Sequence, residues 1–449
     1  MKDLTKGKIS KNLFIYSVPI ILTYLLSRTH TTIDKVMIGQ LVGENGLAAI
    51  GSTSSFITVI SALFWSFGTG ISLFVASNIK KASPKDLVRQ IRSGSALVIG
   101  FSATLSFVAI ILQSPIFSLL SVGQEIYDDA RIYYWILLTG QALMAFNSYS
   151  KEIFYYLGKP SYAFKFSLID CVGNVALNYL LLSVFDLGVF GVAIATVTVM
   201  LVSAIISAYF LRKEINKLYD QKTTIRVNKS ELIYIIKLAI PCILQQGLLY
   251  LASAIVLPTI NRFGTPYVAA YSVCTEIYNV CTVFFFGSSK AVSIYCTQSI
   301  GQKRSVLLKG FFVGIRQSVL LSATLIIPMM IFPLTTASLF LKDASVLTAQ
   351  LVVRYINLCF PFIIFEILNN LFHNIFRGLL VPKLALITTA VYMLTHVSSV
   401  LLLAPIYEMD GVYIGNIAAW VAESIICVIL FLIVLKKTFN QNMSKNTSM

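Results

Sequence analysis

Apolar positions along this 449-residue chain gather into long blocks, and polar positions gather into short gaps between them. A helix crosses a bilayer with about 20 predominantly apolar residues. Twelve blocks reach that length, at approximately 13–39, 48–77, 91–113, 131–157, 162–184, 188–211, 233–260, 267–296, 309–332, 351–376, 383–405 and 411–435. They are too long for barrel strands and do not alternate strictly, so each predicts a membrane-spanning helix. The first block is too long for a cleavable signal peptide and lacks a convincing small-residue cleavage site, which marks it as a retained helix.

The gaps alternate in charge. Seven segments hold 27 of the 35 Lys and Arg: the N-terminus (Lys2, Lys6, Lys8, Lys11), residues 80–92, 151–165, 212–237 and 303–309, the pair Arg377 and Lys383, and the tail with Lys436, Lys437 and Lys445. The intervening gaps are acidic, with Glu44, Glu125, Asp128, Asp129, Asp186, Asp343, Glu408 and Asp410. The positive-inside rule puts the basic segments, and both termini, in the cytoplasm. An even number of spans requires the same, and the expected location is the plasma (inner) membrane.

Composition agrees. Residues are 57% hydrophobic and 12% charged, with a mean hydropathy of +0.80. A soluble domain has about a quarter of its residues charged, so soluble and disordered classes are excluded and the main partner is the lipid bilayer. A net charge of +16 would otherwise suggest nucleic acid. Its placement in cytoplasmic segments makes it a topology signal, and no nucleic-acid partner is expected. The seven cysteines lie in predicted spans without a CxxC pair, so neither disulfides nor a thiolate metal site is expected. No Walker A loop, GxSxG elbow, HExxH or Gly-rich nucleotide fingerprint occurs. The chain therefore reads as a non-enzyme without cofactor, energised by an ion gradient or by its substrate's own gradient.

Residues 212–232 form the longest polar stretch and separate six spans from six. The halves overlay at a shift of roughly 220: "NLFIYSVPIIL" around Pro19 faces "ELIYIIKLAIPCIL" around Pro241, and "GLAAIGSTSSF" faces "YVAAYSVCTEI". "YYLGKPSYAF" faces "IFRGLLVPKLA", and "DLGVFGVAIAT" faces "MDGVYIGNIAA". Four matches in one order predict a duplication into lobes 1–211 and 233–449 joined by the 212–232 linker. Repeats of six spans run in the same direction, related by an axis along the membrane normal with a cavity between them, an architecture suited to alternating access. No filter-like motif points to a channel.

Ionisable residues inside spans are functional candidates because burying them costs several kcal/mol. The acids are Asp34, Asp170, Glu276, Glu366 and Glu423; the basic or titratable groups are Arg28, His30, Lys290, His373 and His396. At about 1.5 Å per residue, Asp34, Asn174, Asn178 and Thr196 reach compatible depths in the middle or outer half of their helices. One carboxylate with amide and hydroxyl oxygens can hold Na⁺, or the carboxylate can carry a proton. Equally, the asparagines can simply bridge helices while Asp34 pairs with His30, four residues away on one face, or with Arg28. Glu366 shares helix 10 with Asn369, Asn370, His373 and Asn374, a polar face that lines water or clamps helices together. Asp170 sits nearer the cytoplasm, as a gate pair with a lysine or as a cavity acid. Glu276 and Glu423 either attract cationic substrates or pair with bases, and Lys290 can snorkel. Pro19 and Pro241 sit at matching places where a lost hydrogen bond permits a kink, hinged or static.

The stretches "DLTKGKISKNLFIYSVPIIL", "IDKVMIGQLVGENGLAAIG", "FDLGVFGVAIATV", "SIGQKR" at 299–304 and "FRGLLVP" at 376–382 together resemble the multidrug and toxic compound extrusion (MATE) family over essentially the whole chain. The resemblance implies twelve helices in two six-helix lobes and cation-coupled drug efflux. It also implies an N-lobe cation site at Asp34, Asn174, Asn178 and Thr196, with Na⁺ as a candidate ligand, and it places the family's helix 10 acid at Glu366. Relatives with a C-lobe Na⁺ site carry a glutamate after the helix 7 proline; here the region reads "PCILQQGLLY", with Gln245 and Gln246. Arg28 and His30 also depart from the family pattern.

The expectation is an all-α polytopic membrane protein of twelve transmembrane helices in two pseudo-symmetric six-helix lobes. It would act as a monomeric antiporter exporting mainly cationic organic compounds in exchange for H⁺ or Na⁺. Asp34, Asn174, Asn178 and Thr196 would couple the cation. Glu366, Glu276, Asn370, His373 and Asp170 are the cavity candidates, and Pro19 and Pro241 the hinges. The alternative is a flippase for lipid-linked oligosaccharide or polysaccharide precursors, in a related superfamily.

Overall fold

Every long apolar block is helical, because a backbone in lipid can satisfy its polar groups only within itself. The computed structural model describes residues 3–221, 223–341 and 345–446, and side chains for all of these except Lys35, Glu44 and 437–446. Of the charges noted above, Lys2, Lys222, Asp343 and the side chains of Glu44, Lys437 and Lys445 lie outside the described residues.

Fourteen α-helices follow one another: α1 Ile9–Leu41, α2 Gly43–Asn78, α3 Pro84–Ile111, α4 Gln113–Leu119, α5 Tyr127–Tyr156, α6 Pro160–Tyr179, α7 Gly188–Asn216, α8 Lys229–Asn261, α9 Thr265–Ser299, α10 Arg304–Ile331, α11 Pro333–Phe340, α12 Val346–Cys359, α13 Ile363–Gly378 and α14 Pro382–Asn446. Among the described residues, ten helical stretches are long and apolar enough to cross a membrane. One of these, Pro382–Lys436, holds two predicted spans, because the chain leaves helical geometry at Glu408 (φ 49°, ψ −126°). The twelfth predicted span lies in α5, which is less apolar. It packs against α2, α3 and α7, and a helix enclosed by other helices needs less hydrophobic surface than one facing lipid. The protein is thus an all-α polytopic membrane protein with the twelve predicted spans.

The duplication extends to geometry. α1 and α8 each have 33 residues and an internal proline, α3 and α10 each have 28, and short α4 and α11 follow them. Left-handed backbone recurs in register: Gly158 (φ 79°) and Leu380 (φ 63°), then Asp186 and Glu408 (φ 49° each), each pair 222 residues apart.

By contacts the chain divides into two compact units, one comprising Leu22–Ile243 and the other Asp3–Ile21 with Leu244–Met449. α1 therefore changes unit two residues after Pro19, and α8 two residues after Pro241. The first part of α1 is held within the second unit. Gln317 donates to Ser17 Oγ at 2.8 Å, and the Leu4 amide donates to Gln298 at 2.8 Å. The first part of α8 is held within the other unit by Glu231, which accepts from Arg89 at 2.7 and 3.0 Å. Each contact has its own glycine. A Cβ on Gly287 of α9 would lie 2.8 Å from the Ile21 backbone, and one on Gly70 of α2 would lie 2.3 Å from the Ala239 Cα.

These close approaches predict an asymmetry among glycine substitutions. Gly70→Ala and Gly287→Ala should each lower stability by about 1–3 kcal/mol through overpacking. Gly51→Ala, with nothing within 4 Å, should be neutral or slightly stabilising. Thermal unfolding of the detergent-solubilised variants reads the difference.

Candidate functional site

Asp34 lies two turns before the end of α1, Asn174 and Asn178 one turn apart on α6, and Thr196 two turns into α7. Counting along these helices puts all four at one level, and their side chains meet there. Asn178 Nδ2 donates to Asp34 Oδ1 at 2.8 Å and to Asn174 Oδ1 at 2.7 Å. Asn174 Nδ2 reaches Thr196 Oγ1 at 3.3 Å, and that hydroxyl donates to the Val192 carbonyl at 2.9 Å. His30 Nε2 lies 3.3 Å from Asp34 Oδ2. Oδ1 of the carboxylate therefore accepts from an amide, and Oδ2 lies beside the His30 ring nitrogen. Asn174 and Asn178 are buried, while Asp34 is 20% exposed, so the carboxylate remains reachable. Just beyond Asn178 the helix widens into a π turn over Leu180–Val184, a local irregularity that often accompanies functional positions.

Asn178 Oδ1 is buried without a hydrogen-bond partner. A half-turn of the amide would bring this oxygen toward Asp34 and assemble an oxygen ligand set from Asp34, Asn174, Asn178 and Thr196. The residues fit Na⁺ in that arrangement. With the amide as it stands, its N–H donates to Asp34 as an ionised carboxylate, and that oxygen set is not assembled.

The other candidates separate into distinct settings. Asp170 accepts from Lys151 Nζ at 2.8 Å and from Asn147 Nδ2 at 3.2 Å, and Asn147 also reaches Ser203 Oγ at 2.8 Å. Lys151, inside the predicted span 131–157, thus holds the acid of α6 from α5. Glu366 of α13 accepts from the Tyr278 hydroxyl at 2.8 Å. Asn370 accepts from Asn374, and Glu276 is half-buried on α9. His373 contacts Glu423 at 3.0 Å and Gln245 at 3.2 Å. Pro19 and Pro241 sit inside continuous helices. Arg28 is half-buried and, among the described residues, has no ion-pair partner. The partners Asn147 and Tyr278 were not apparent from sequence, since neutral polar residues in spans are common and carry no signal of their own.

The MatE family model matches the chain twice, over residues 19–180 and 241–402. The chain belongs to the MatE family. The two matches begin at Pro19 and Pro241, an offset of 222 residues that coincides with the recurring left-handed positions. A probable multidrug resistance protein of Bacillus subtilis, YoeA, is 22% identical over 351 residues covering 76% of each chain. An FAD transporter of Shewanella oneidensis is 25% identical over 368 residues, 77% of this chain and 78% of that one. Among solved structures, an outward-facing multidrug resistance MATE transporter of the MOP superfamily superposes with a TM-score of 0.85. It is 19% identical and is covered over 98% of this chain and 99% of that one. The two-lobe fold of twelve helices is therefore that of MATE transporters, and this MatE chain is a multi-pass membrane transporter.

At the MatE offset, Asp34, Asn174, Asn178 and Thr196 correspond to Val256, His396, Val400 and Ala418. The Asp34 cluster thus has no copy in the second half of the chain.

The half-buried pair predicts a specific double-variant pattern. Lys151→Met should destabilise by roughly 1–3 kcal/mol because Asp170 is left as a charge without its ion-pair partner. Adding Asp170→Asn should recover most of that loss, as measured by thermal unfolding.

Proposed function

We propose that this MatE transporter exports organic compounds, mainly cations, by alternating access in exchange for a cation that binds at Asp34. The observation that carries the reading is the closed set of contacts around Asp34, drawn from α1, α6 and α7. A membrane-embedded carboxylate held by an amide donor from another helix changes its bonding when its charge is neutralised. Asn178 donates toward an ionised carboxylate and the His30 ring stands beside its other oxygen, and protonation of Asp34 would weaken the Asn178 contact. α1 would then be free to shift past α6 and α7.

The coupling ion that best suits the nitrogen-rich surroundings of Asp34 is a proton. Na⁺ would require the Asn178 amide to turn over and would compete with His30. The prolines of α1 and α8 supply the mobility. Each helix changes its packing unit two residues beyond its proline, where one backbone hydrogen bond is missing. In this reading Pro19 lets the Asp34 arm of α1 move while the Ser17 arm stays anchored. The basic segments put both termini in the cytoplasm of a plasma-membrane protein acting as a monomer.

A second reading is the transport of an anionic or phosphate-bearing molecule, including a lipid-linked glycan precursor. Arg28, half-buried in α1 without an ion-pair partner among the described residues, favours it, as does the relative described as an FAD transporter. Export of FAD, but of no cationic dye, by cells expressing the protein would select it.

For the antiport reading, Asp34→Asn should reduce gradient-driven dye efflux to background at unchanged membrane expression, and Asn178→Ala should weaken it roughly tenfold. Efflux by Asp34→Asn at the wild-type rate would sink the mechanism.

A further inference from the structure

A second polar cluster lies wholly within residues 244–449, apart from the Asp34 site. Gln245 comes from α8, His373 and Arg377 from α13, and Thr388, Thr389 and Glu423 from the two arms of α14. Glu423 is 3% exposed, and Gln245, Thr388 and Thr389 are equally buried. A carboxyl group so deep in a span is a functional candidate unless its partners are purely structural.

The hydrogen bonds run in one order. Arg377 Nη2 donates to Gln245 Oε1 at 2.7 Å. A guanidinium has no acceptor, so this contact fixes which end of the amide is oxygen. Gln245 Nε2 then faces Thr389 Oγ1 at 2.9 Å and His373 Nδ1 at 3.2 Å. An amide NH₂ donates and does not accept, so Nδ1 is the unprotonated ring nitrogen. The ring proton of neutral His373 sits on Nε2, 3.0 Å from Glu423 Oε1 and 2.9 Å from Thr388 Oγ1. Arg377, acting through Gln245, thus sets the tautomer of His373 and aims its N–H at Glu423.

Two positions remain for an incoming proton. On Glu423 it cancels the carboxylate charge that His373 Nε2–H faces. On His373 Nδ1 it opposes the Gln245 NH₂, so the amide must turn and Arg377 loses its acceptor. We propose that Glu423 and His373 form a second proton-binding site, distinct from Asp34, whose occupancy is passed through Gln245 to Arg377. Among the described residues, the other titratable groups facing the pair are Arg377 and Glu366 on α13 and Tyr392 and Cys427 on α14. Tyr278 of α9 holds Glu366. At the 222-residue offset, His373 matches Lys151 and Glu423 matches Leu201, so the pair is particular to the second half. Arg377 begins the "RG" step at the end of α13, where Gly378 approaches the Ser293 carbonyl so closely that a Cβ would lie 2.3 Å from it. Release of Arg377 would therefore act at a tightly packed junction.

With Asp34, this site would add a second proton to each transport cycle, a consequence that rests on the antiport reading. The site itself is tested without transport. The chain has three histidines, so ¹⁵N-histidine NMR of the protein in lipid, assigned with His30→Gln and His396→Gln, reads His373 directly. The expected state at neutral pH is the Nε2–H tautomer, with Gln245→Leu shifting it toward Nδ1–H and Glu423→Gln shifting its titration. An Nδ1–H tautomer in the wild type, or a ring insensitive to both substitutions, would overturn the proposal. In liposomes, Glu423→Gln should move one proton fewer per substrate than the wild type, and an unchanged ratio would remove the coupling role. Absence of any proton movement by the wild type would instead defeat the antiport reading, leaving the NMR result to decide the site.

Discussion

A charge or an amide inside a bilayer core has no water to fall back on, and leaving it unpaired costs several kcal/mol. The polar side chains of this protein are arranged by that constraint. Asp34 is met by Asn178 and His30, Asp170 by Lys151 and Asn147, Glu366 by Tyr278, and Glu423 by His373. Each acid takes its donors from a different helix or from a different turn, so the same contacts that satisfy the charge also fix helix against helix. Neutralising one acid therefore loosens a packing contact. That link between protonation and helix position is what an ion-driven transporter requires.

Duplication supplies the frame, and divergence supplies the chemistry. The two halves repeat helix lengths, prolines and left-handed backbone positions at a constant offset, because these follow from chain geometry and membrane thickness. The paired groups repeat far less. Asn147 and Asn369 occupy matching places and each binds a serine, Ser203 and Ser424. One turn on, Lys151 in one half stands opposite His373 in the other. A lysine bound to Asp170 makes an ion pair, whereas His373 facing Glu423 leaves the pair room for one more proton, as proposed above. The first half thus carries an ion pair at this level, where the second half carries the proposed proton site.

Much of this was legible in the sequence, for physical reasons. The bilayer forces helices of about 20 apolar residues, so the apolar blocks located all twelve spans, and the gap around Glu408 marked the break inside α14. Depth counted along helices brought Asp34, Asn174, Asn178 and Thr196 to one level before any coordinates. Other features had no local signature. The competition between Arg28 and His30 for Asp34 depends on side-chain direction, which spacing alone left open. Lys151 falls inside the apolar block 131–157 beside a basic gap, and spacing alone does not show which lysine Asp170 meets. The change of packing unit within α1 and α8 depends on which neighbours each half meets, and nothing in "YSVPII" or "LAIPCIL" encodes that.

The central claim is that cation binding at Asp34 drives substrate export. It is tested most directly by purified protein in liposomes, with pH and Na⁺ gradients imposed separately and a cationic dye as substrate. The account predicts dye movement against its gradient when a proton gradient is imposed, stopping when an ionophore collapses it, with little response to Na⁺. Dye movement that is unaffected by collapse of both gradients would contradict it.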